Sequence, residues 1–406
     1  MTNHGDELIY LDHSATSWPK ADGVGEAMAS AVEAGNPGRG GHRAAREASS
    51  IVDSARAALA SLLGEDDPRR VVFTSGCTDS VHTAIEGVVR ACERVEPGQT
   101  PEIVFSAIEH NAVARGVAAL VEVGRATSVV VPVDATTRVD PEAVGSACTD
   151  RTRLVCVLHA SNVTGAVQPI RAIADAVHDK APNALLLVDA AQSIGVIPAK
   201  PHDMGADLVA FGSHKGLRGP AGIGGLWVGE RAWPVDGDRE GRRIDPVRCG
   251  GTGTASEGDA MPDVLPLAFE AGSANVPAIA GLGAAVRRVD LATIASKQQL
   301  ARELVEALHK RFGERVTVYG RADGGAESLP TIAMNFEGWD SGDLAQVLDA
   351  SFGIATRAGL HCSPRCHEAL GTTQRGGTLR VSLGATTTKA DTERLLEALS
   401  AVIGSA

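Results

Sequence analysis

The chain has 406 residues, 44 % of them hydrophobic and 22 % charged, and a formal net charge of -12. That balance belongs to an ordinary globular protein, and the length points to two domains rather than one core. An acidic surface repels phosphate backbones and anionic lipid, so neither nucleic acid nor a membrane surface is an expected partner.

Aromatic residues make up only 3 %, and alanine, valine and glycine dominate, which favours buried valine-rich strands over aromatic stacking on bases. The opening stretch "MTNHGDELIYLDHSATSW" is acidic and lacks an apolar h-region, so no signal peptide is expected. No apolar run reaches transmembrane length. Seven cysteines scattered along the chain do not form a disulfide framework, and a reducing cytoplasm is the expected setting.

In chain order, strand-like runs occur at "VVFT" (71–74), "EIVFS" (102–106), "TSVVVPV" (127–133), "RLVCVLH" (153–159), "ALLLVDA" (184–190), "DLVAFG" (207–212) and "IGGLWVG" (223–229). Segments with helical periodicity, such as "DSVHTAIEGVVRACERV" and "HNAVARGVAALVEVG", lie between several of them. The pattern predicts an α/β protein with a mainly parallel seven-stranded sheet covered by helices. Residues 232–265, rich in Gly, Asp, Arg and Pro, read as a long loop. Beyond them come the helical "ATIASKQQLARELVEALHKRF", the strand-like "RVTVYG", "TIAMNF", "IATRAG" and "TLRVSL", and a last amphipathic helix, which together predict a smaller α+β domain. The expected division is an N-terminal segment (1–19) packing on the small domain, a large domain (20–275) and a small C-terminal domain (276–406).

Chemistry concentrates in "LVDAAQSIGVIPAKPHDMGADLVAFGSHKGLRGPAGIGG". One strand delivers Asp189 at its C-terminal end, where open α/β sheets place their ligands. Another ends in Ser213, His214 and Lys215, and six glycines fall among residues 212–225. A carboxylate and an amine so disposed suit opposite ends of a flat heterocycle, the requirement of pyridoxal phosphate. Alone, Asp189 fits a helix cap and Lys215 a loop lysine; together they favour the cofactor. "FTSGCTDSVHTAI" runs from a strand through Gly76 into a helix, leaving Thr78 and free N–H groups where a phosphate is cradled, although a plain cap reads the same way. His110 follows a strand, where an imidazole lies over a ring or moves protons. Asn162 follows another and suits a phenolic oxygen or a turn.

The segments "YLDHSATS", "FTSGCTDS", "EHNAV", "SNVTG", "VDAAQSIG", "GSHKGLRGP", "EAGSANVPAI" and "RAGLHCSP" occur in order from about residue 10 to 385. They resemble the class V, fold-type I pyridoxal-phosphate enzymes, most of all the cysteine desulfurase and selenocysteine lyase branch. The resemblance implies a Schiff-base lysine at Lys215 that also moves the Cα proton, a pyridinium partner at Asp189, phenolic-oxygen contacts at Gln192 and Asn162, and ring stacking by His110. It implies phosphate contacts from Thr78, Ser213, His214 and the backbone of Cys77, a position where the family usually has Thr or Ala. By the same resemblance "GGTGT" offers Thr252 to a neighbouring subunit's phosphate, which implies a homodimer with its active site at the subunit interface. Arg380 would clamp the substrate α-carboxylate, a task suited to a planar bidentate donor, and His42 would lie near the substrate.

The stretch "AGLHCSPRCHEALG" admits three readings. A four-ligand zinc site is disfavoured because adjacent His-Cys and Cys-His pairs converge poorly on one tetrahedron. A Cys362–Cys366 disulfide is disfavoured in a reducing compartment. A thiolate nucleophile needs exposure and positive neighbours, for which His361, Arg365 and His367 are candidates. The resembling family has its nucleophile directly after "R-x-G-x-H", which is Cys362, and the seventeen residues between it and Arg380 match the short-loop subgroup. Cys366 has no counterpart there and reads as an incidental thiol or a relay thiol. The implied activity is desulfuration of L-cysteine to L-alanine, with a Cys362 persulfide passed to an acceptor protein or small thiol. The alternatives are another class V enzyme independent of Cys362 (a selenocysteine lyase, C–S lyase or aminotransferase) and a non-catalytic sulfur-carrier scaffold.

Overall fold

The computed structural model describes residues 8–38, 40–234, 241–253, 258–320 and 327–404. Residues 1–7 of the N-terminal segment, and 235–240 and 254–257 of the stretch read as a long loop, lie outside the described residues. The first half runs β1 (Ile9–Tyr10), α1 (Val24–Ala31), α2 (Arg43–Leu63), β2 (Val71–Thr74), α3 (Cys77–Val95), β3 (Glu102–Ser106), α4 (Asn111–Glu122), β4 (Thr127–Val131), α5 (Pro141–Ala147), β5 (Thr152–Leu158), α6 (Ile170–Lys180), β6 (Leu185–Asp189), α7 (Pro201–Met204), β7 (Leu208–Gly212) and β8 (Gly224–Val228). There follow α8 (Val276–Val286), α9 (Leu291–Phe312), β9 (Val316–Tyr319), β10 (Thr331–Phe336), α10 (Ser341–Phe352), β11 (Ile354–Ala355), β12 (Arg357–Gly359), α11 (Pro364–Ala369), β13 (Thr378–Ser382) and α12 (Lys389–Ile403).

All seven strand-like runs of the first half form one sheet, in the order β2-β8-β7-β6-β5-β3-β4. Only β8 runs against its neighbours. Every residue of β6, β7 and β8 is buried, as strands covered by helices on both faces require. The parallel register sets Leu158 beside Asp189 and Asp189 beside Ala210. The C-terminal ends of β3, β5, β6 and β7 therefore open on one side of the sheet, the side where ligands bind in such folds.

A second, antiparallel sheet, β12-β13-β10-β9, packs with α9, α10 and α12. Ile9 and Leu11 lie in its core, while Ser14 and Ser17 bond to Gln192 and His214 beside the main sheet. Helix α8 does not belong to the smaller unit: Ile279, Leu282 and Val286 lie in the core of the main sheet with α2, although α8 falls within 276–406. The single strand expected at 354–359 is two strands, because β11 pairs with β1 while β12 pairs with β13. That exchange sets Arg357 directly opposite Arg380. Among the described residues no helix is long and apolar enough to cross a membrane.

Candidate active site

The turn from β2 into α3 is built for close approach. Gly76 precedes the helix at φ 144° and offers no side-chain cap, so the first N–H groups of a nineteen-residue helix keep their donors for a ligand. A Cβ on Gly224 would stand 2.4 Å from the Phe211 carbonyl and 2.8 Å from Gly76 Cα, so only glycine lets β8 pass beneath this turn.

Lys215 is half-buried, and its desolvation lowers its pKa. The Asp189 carboxylate opposes that fall, while Arg380 and Arg357 add to it. Asp189 Oδ1 accepts from the Ala191 N–H at 2.8 Å and from the Cys77 thiol at 3.4 Å. Burial first, and then that carboxylate, push the Cys77 thiol well above its usual range, so it stays a neutral donor. His110 caps α4 by accepting the Ala112 N–H on Nδ1 at 3.0 Å, which leaves its proton on Nε2, and burial favours the uncharged ring. His214 lies against Thr16 Oγ1 at 3.1 Å and is pulled to about 4 by burial and by Lys215.

These groups line one cavity of about 570 Å³. Cys77, Thr78, His110, Asn162 and Asp189 meet Gln192, His214, Lys215, Cys362 and Arg380 on its walls. Ser213 is fully buried rather than on the wall. Two expected residues are not brought in. His42 is exposed and caps α2, accepting the Ala45 N–H at 3.3 Å. Thr252 borders a neighbouring cavity of about 820 Å³, which shares Ser75, Gly222 and Ile223 with the first.

Arg380 is not a free clamp. Its side chain is 1 % exposed, and its Nη2 donates to Asp12 Oδ1 at 2.6 Å. Its Nη1 donates to the Asn162 carbonyl at 2.8 Å, and its Nε has no partner. Asp12 comes from 368 residues away, and no local signal predicts the pairing. Two further groups escaped the sequence reading. Arg357 reaches the cavity and sets Nη2 3.7 Å from Cys362 Sγ; its place two residues before Gly359 in the "R-x-G-x-H" run was the available signal. Glu109 is buried, with Oε1 bonded to Ser106 and to the Leu158 N–H while Oε2 has no partner.

The two cysteines of the loop part company. Cys362 is exposed, whereas Cys366 is 0 % exposed, lies in the main core, and burial pushes its thiol to about 12. A relay role for Cys366 fails on that burial, and all seven cysteines are free. His361 and His367 are buried as well, pulled to about 2 and about 4, so neither supplies the positive charge expected beside Cys362. His361 Nε2 donates to the Thr378 carbonyl at 3.0 Å, and His367 Nδ1 meets Thr372 Oγ1 at 2.8 Å. Arg365 lies over the Phe105 ring instead. The cation beside the sulfur is Arg357.

Comparison with known proteins agrees with this geometry. The family described as aminotransferase class-V matches residues 9–395. A probable cysteine desulfurase from Methanothermobacter thermautotrophicus is 30 % identical over 410 residues, covering 98 % of this chain and 95 % of that protein. A selenocysteine lyase from Xenopus laevis is 31 % identical over 349 residues, covering 81 % and 76 %. Among solved structures, a cysteine desulfurase from Thermococcus onnurineus NA1 superposes with a TM-score of 0.85 at 25 % identity, covering 98 % of this chain and 95 % of that one.

Proposed function

The chain belongs to the aminotransferase class-V family, and from that membership we propose that it is a pyridoxal-phosphate-dependent cysteine desulfurase that leaves the substrate sulfur as a persulfide on Cys362. The residues fit the cofactor. Ser213 Oγ and Asn162 Oδ1 are buried polar atoms with no protein partner, and the uncapped start of α3 is a ready phosphate site. Asp189 faces the same cavity as the Lys215 amine, whose pKa burial lowers. Thr78, Ser213, His214 and the Cys77 backbone would hold the phosphate; Asp189 would hold the pyridinium, Gln192 and Asn162 the phenolic oxygen, and His110 the ring face.

When bound, pyridoxal phosphate supplies an electron sink for the substrate Cα. The chain does the rest. Arg380 and Arg357 draw the α-carboxylate in, and Lys215 takes the Cα proton. The Cys362 sulfur attacks the substrate sulfur; a new S–S bond forms as the Cβ–S bond breaks with its electron pair on carbon. One proton added to Cβ and one returned by Lys215 to Cα complete alanine, the thiol protons supplying the balance. Reaction requires the two sulfurs at near-attack distance.

The observation that carries this reading is an exposed thiol on the wall of the Lys215–Asp189 cavity, against a guanidinium. Mass spectrometry after addition of L-cysteine, without reductant, tests it: one extra sulfur atom is expected on Cys362. A Cys362→Ser protein that makes alanine from cysteine at the wild-type rate overturns it. The Xenopus laevis relative favours a selenocysteine lyase as the second reading; equal turnover of L-selenocysteine by wild type and Cys362→Ser, with cysteine inert, would establish that one. The exposed thiol suits delivery to an acceptor protein or small thiol. A homodimer is part of the proposal: Thr252 lines a cavity adjoining the first, and in a dimer it would reach the phosphate of the neighbouring copy.

A further inference from the structure

The turn that carries Cys362 has an unusual backbone. His361 and Cys362 both lie in the left-handed region, at φ 48° and 59°, where residues other than glycine are disfavoured. Two in succession persist only where the surroundings over-determine them. Each of three successive residues is tied here by hydrogen bonds to distant segments. Asn162 Nδ2 donates to the His361 carbonyl at 2.6 Å, and the Asn111 backbone N–H donates to the Cys362 carbonyl at 2.8 Å. The Ser363 hydroxyl reaches the carbonyls of Ile108 and Glu109, at 3.0 and 2.9 Å.

Ser363 is the telling member. It stands at the N-cap of α11, directly before Pro364, where a serine ordinarily turns its oxygen onto the N–H groups of the first turn. It makes no such bond. The side chain is fully buried, and its hydroxyl crosses to the loop between β3 and α4. That loop continues into His110, on the cavity wall, and then Asn111, which grips Cys362. A capping group has been diverted from its own helix to tie the small domain's cysteine turn to the large domain's cofactor wall.

We infer that Ser363 is a positioning residue for Cys362: with the Asn111 N–H it locks the strained turn, so that the thiol is held at one place relative to His110 and Lys215. The inference deepens the desulfurase reading above and rests on it. Displacement of about 1 Å is enough to cost about a hundredfold in such a transfer.

Two variants test it in the holoenzyme. Ser363→Ala removes the hydroxyl. Asn111→Pro removes the second N–H while keeping the Ser363 hydroxyl: residue 111 opens α4, where proline is tolerated, and His110 already has the ψ of 152° that a residue before proline adopts. Three quantities are read: alkylation of Cys362 by iodoacetamide without substrate, the L-alanine concentration that half-saturates the cofactor absorbance change, and single-turnover persulfide formation. In both variants alkylation rises at least about threefold, the L-alanine midpoint stays within about twofold, and persulfide formation falls about ten- to hundredfold. Wild-type alkylation and persulfide rates in Ser363→Ala overturn the inference. So does a parallel loss of L-alanine binding, which marks a merely structural role. If Ser363→Ala does not fold, Asn111→Pro decides by the same criteria. A wild-type protein that forms no persulfide on Cys362 defeats the desulfurase reading instead, while the alkylation comparison still reports on the clamp.

Discussion

Asp12→Ala removes the carboxylate from a guanidinium whose side chain is 1 % exposed. Breaking a buried ion pair by deleting one partner costs about 3–5 kcal/mol, because the remaining charge is left without compensation. An unfolding entropy of about 2.1 cal/mol/K per residue, over 406 residues, turns that into a fall in Tm of about 4–6 °C. The mirror variant behaves differently. Arg380→Met puts an apolar chain of similar length in the buried position and leaves Asp12, whose side chain is 18 % exposed and keeps contact with water. Its cost is about 1–2 kcal/mol, or about 1–2 °C. Yet it removes a carboxylate donor, so L-cysteine turnover collapses at substrate levels that saturate the wild type. The stability order, with Asp12→Ala the worse, is the signature of a buried cation. Differential scanning calorimetry of the holoenzymes, at one cofactor concentration and one ionic strength, measures it. An Asp12→Ala protein melting within about 1 °C of wild type, or no more destabilised than Arg380→Met, refutes the reasoning.

Three further outcomes are expected. Cys366→Ala keeps persulfide formation and loses about 1 kcal/mol of stability, and iodoacetamide labels Cys362 but not Cys366 in the native protein; a native Cys366 adduct contradicts its burial. Arg357→Ala slows persulfide formation about tenfold or more by releasing the guanidinium from the sulfur, and a wild-type single-turnover rate counts against that contact. Burial raises the Glu109 carboxyl from 4.5 to about 8 against the pull of its Ser106 and Leu158 bonds. The native state thus holds a proton that the unfolded chain releases, and this group's stabilisation falls as pH rises from about 4.5 to about 8, by up to about 1.4 kcal/mol per unit. His214, His361 and His367, pulled below 6.5, act in the opposite sense as pH falls below 6.5. The Tm difference between wild type and Glu109→Gln should therefore decline from pH 6.5 to 8, and a flat difference shows that Glu109 is ionised in the fold.

Much of the fold was legible because its determinants are local. Runs such as "LLLVD" and "LVAFG" have the apolar continuity of strands buried on both faces, and each is a strand. Chain order with right-handed crossovers then leaves few arrangements of a parallel sheet. The site's poles were legible for the same reason: Asp189 ends β6, and Lys215 lies just beyond β7. The run at 354–359 was misread because its two halves pair with different strands, and pairing is not a property of a six-residue window.

The loop "LHCSPRCH" separates the two kinds of information. Residue order by itself determined that a thiol stands near the strand bearing Arg380, and that zinc and disulfide chemistry suit the spacing poorly. Folding decided which thiol is in the cavity and which in the core, left both histidines uncharged, set Arg357 against the sulfur, and gave Arg380 to Asp12. It also turned the Ser363 hydroxyl away from its helix. Burial and partnership depend on segments up to 368 residues apart converging on one point, and desolvation, which sets these protonation states, exists only once the chain has closed around them.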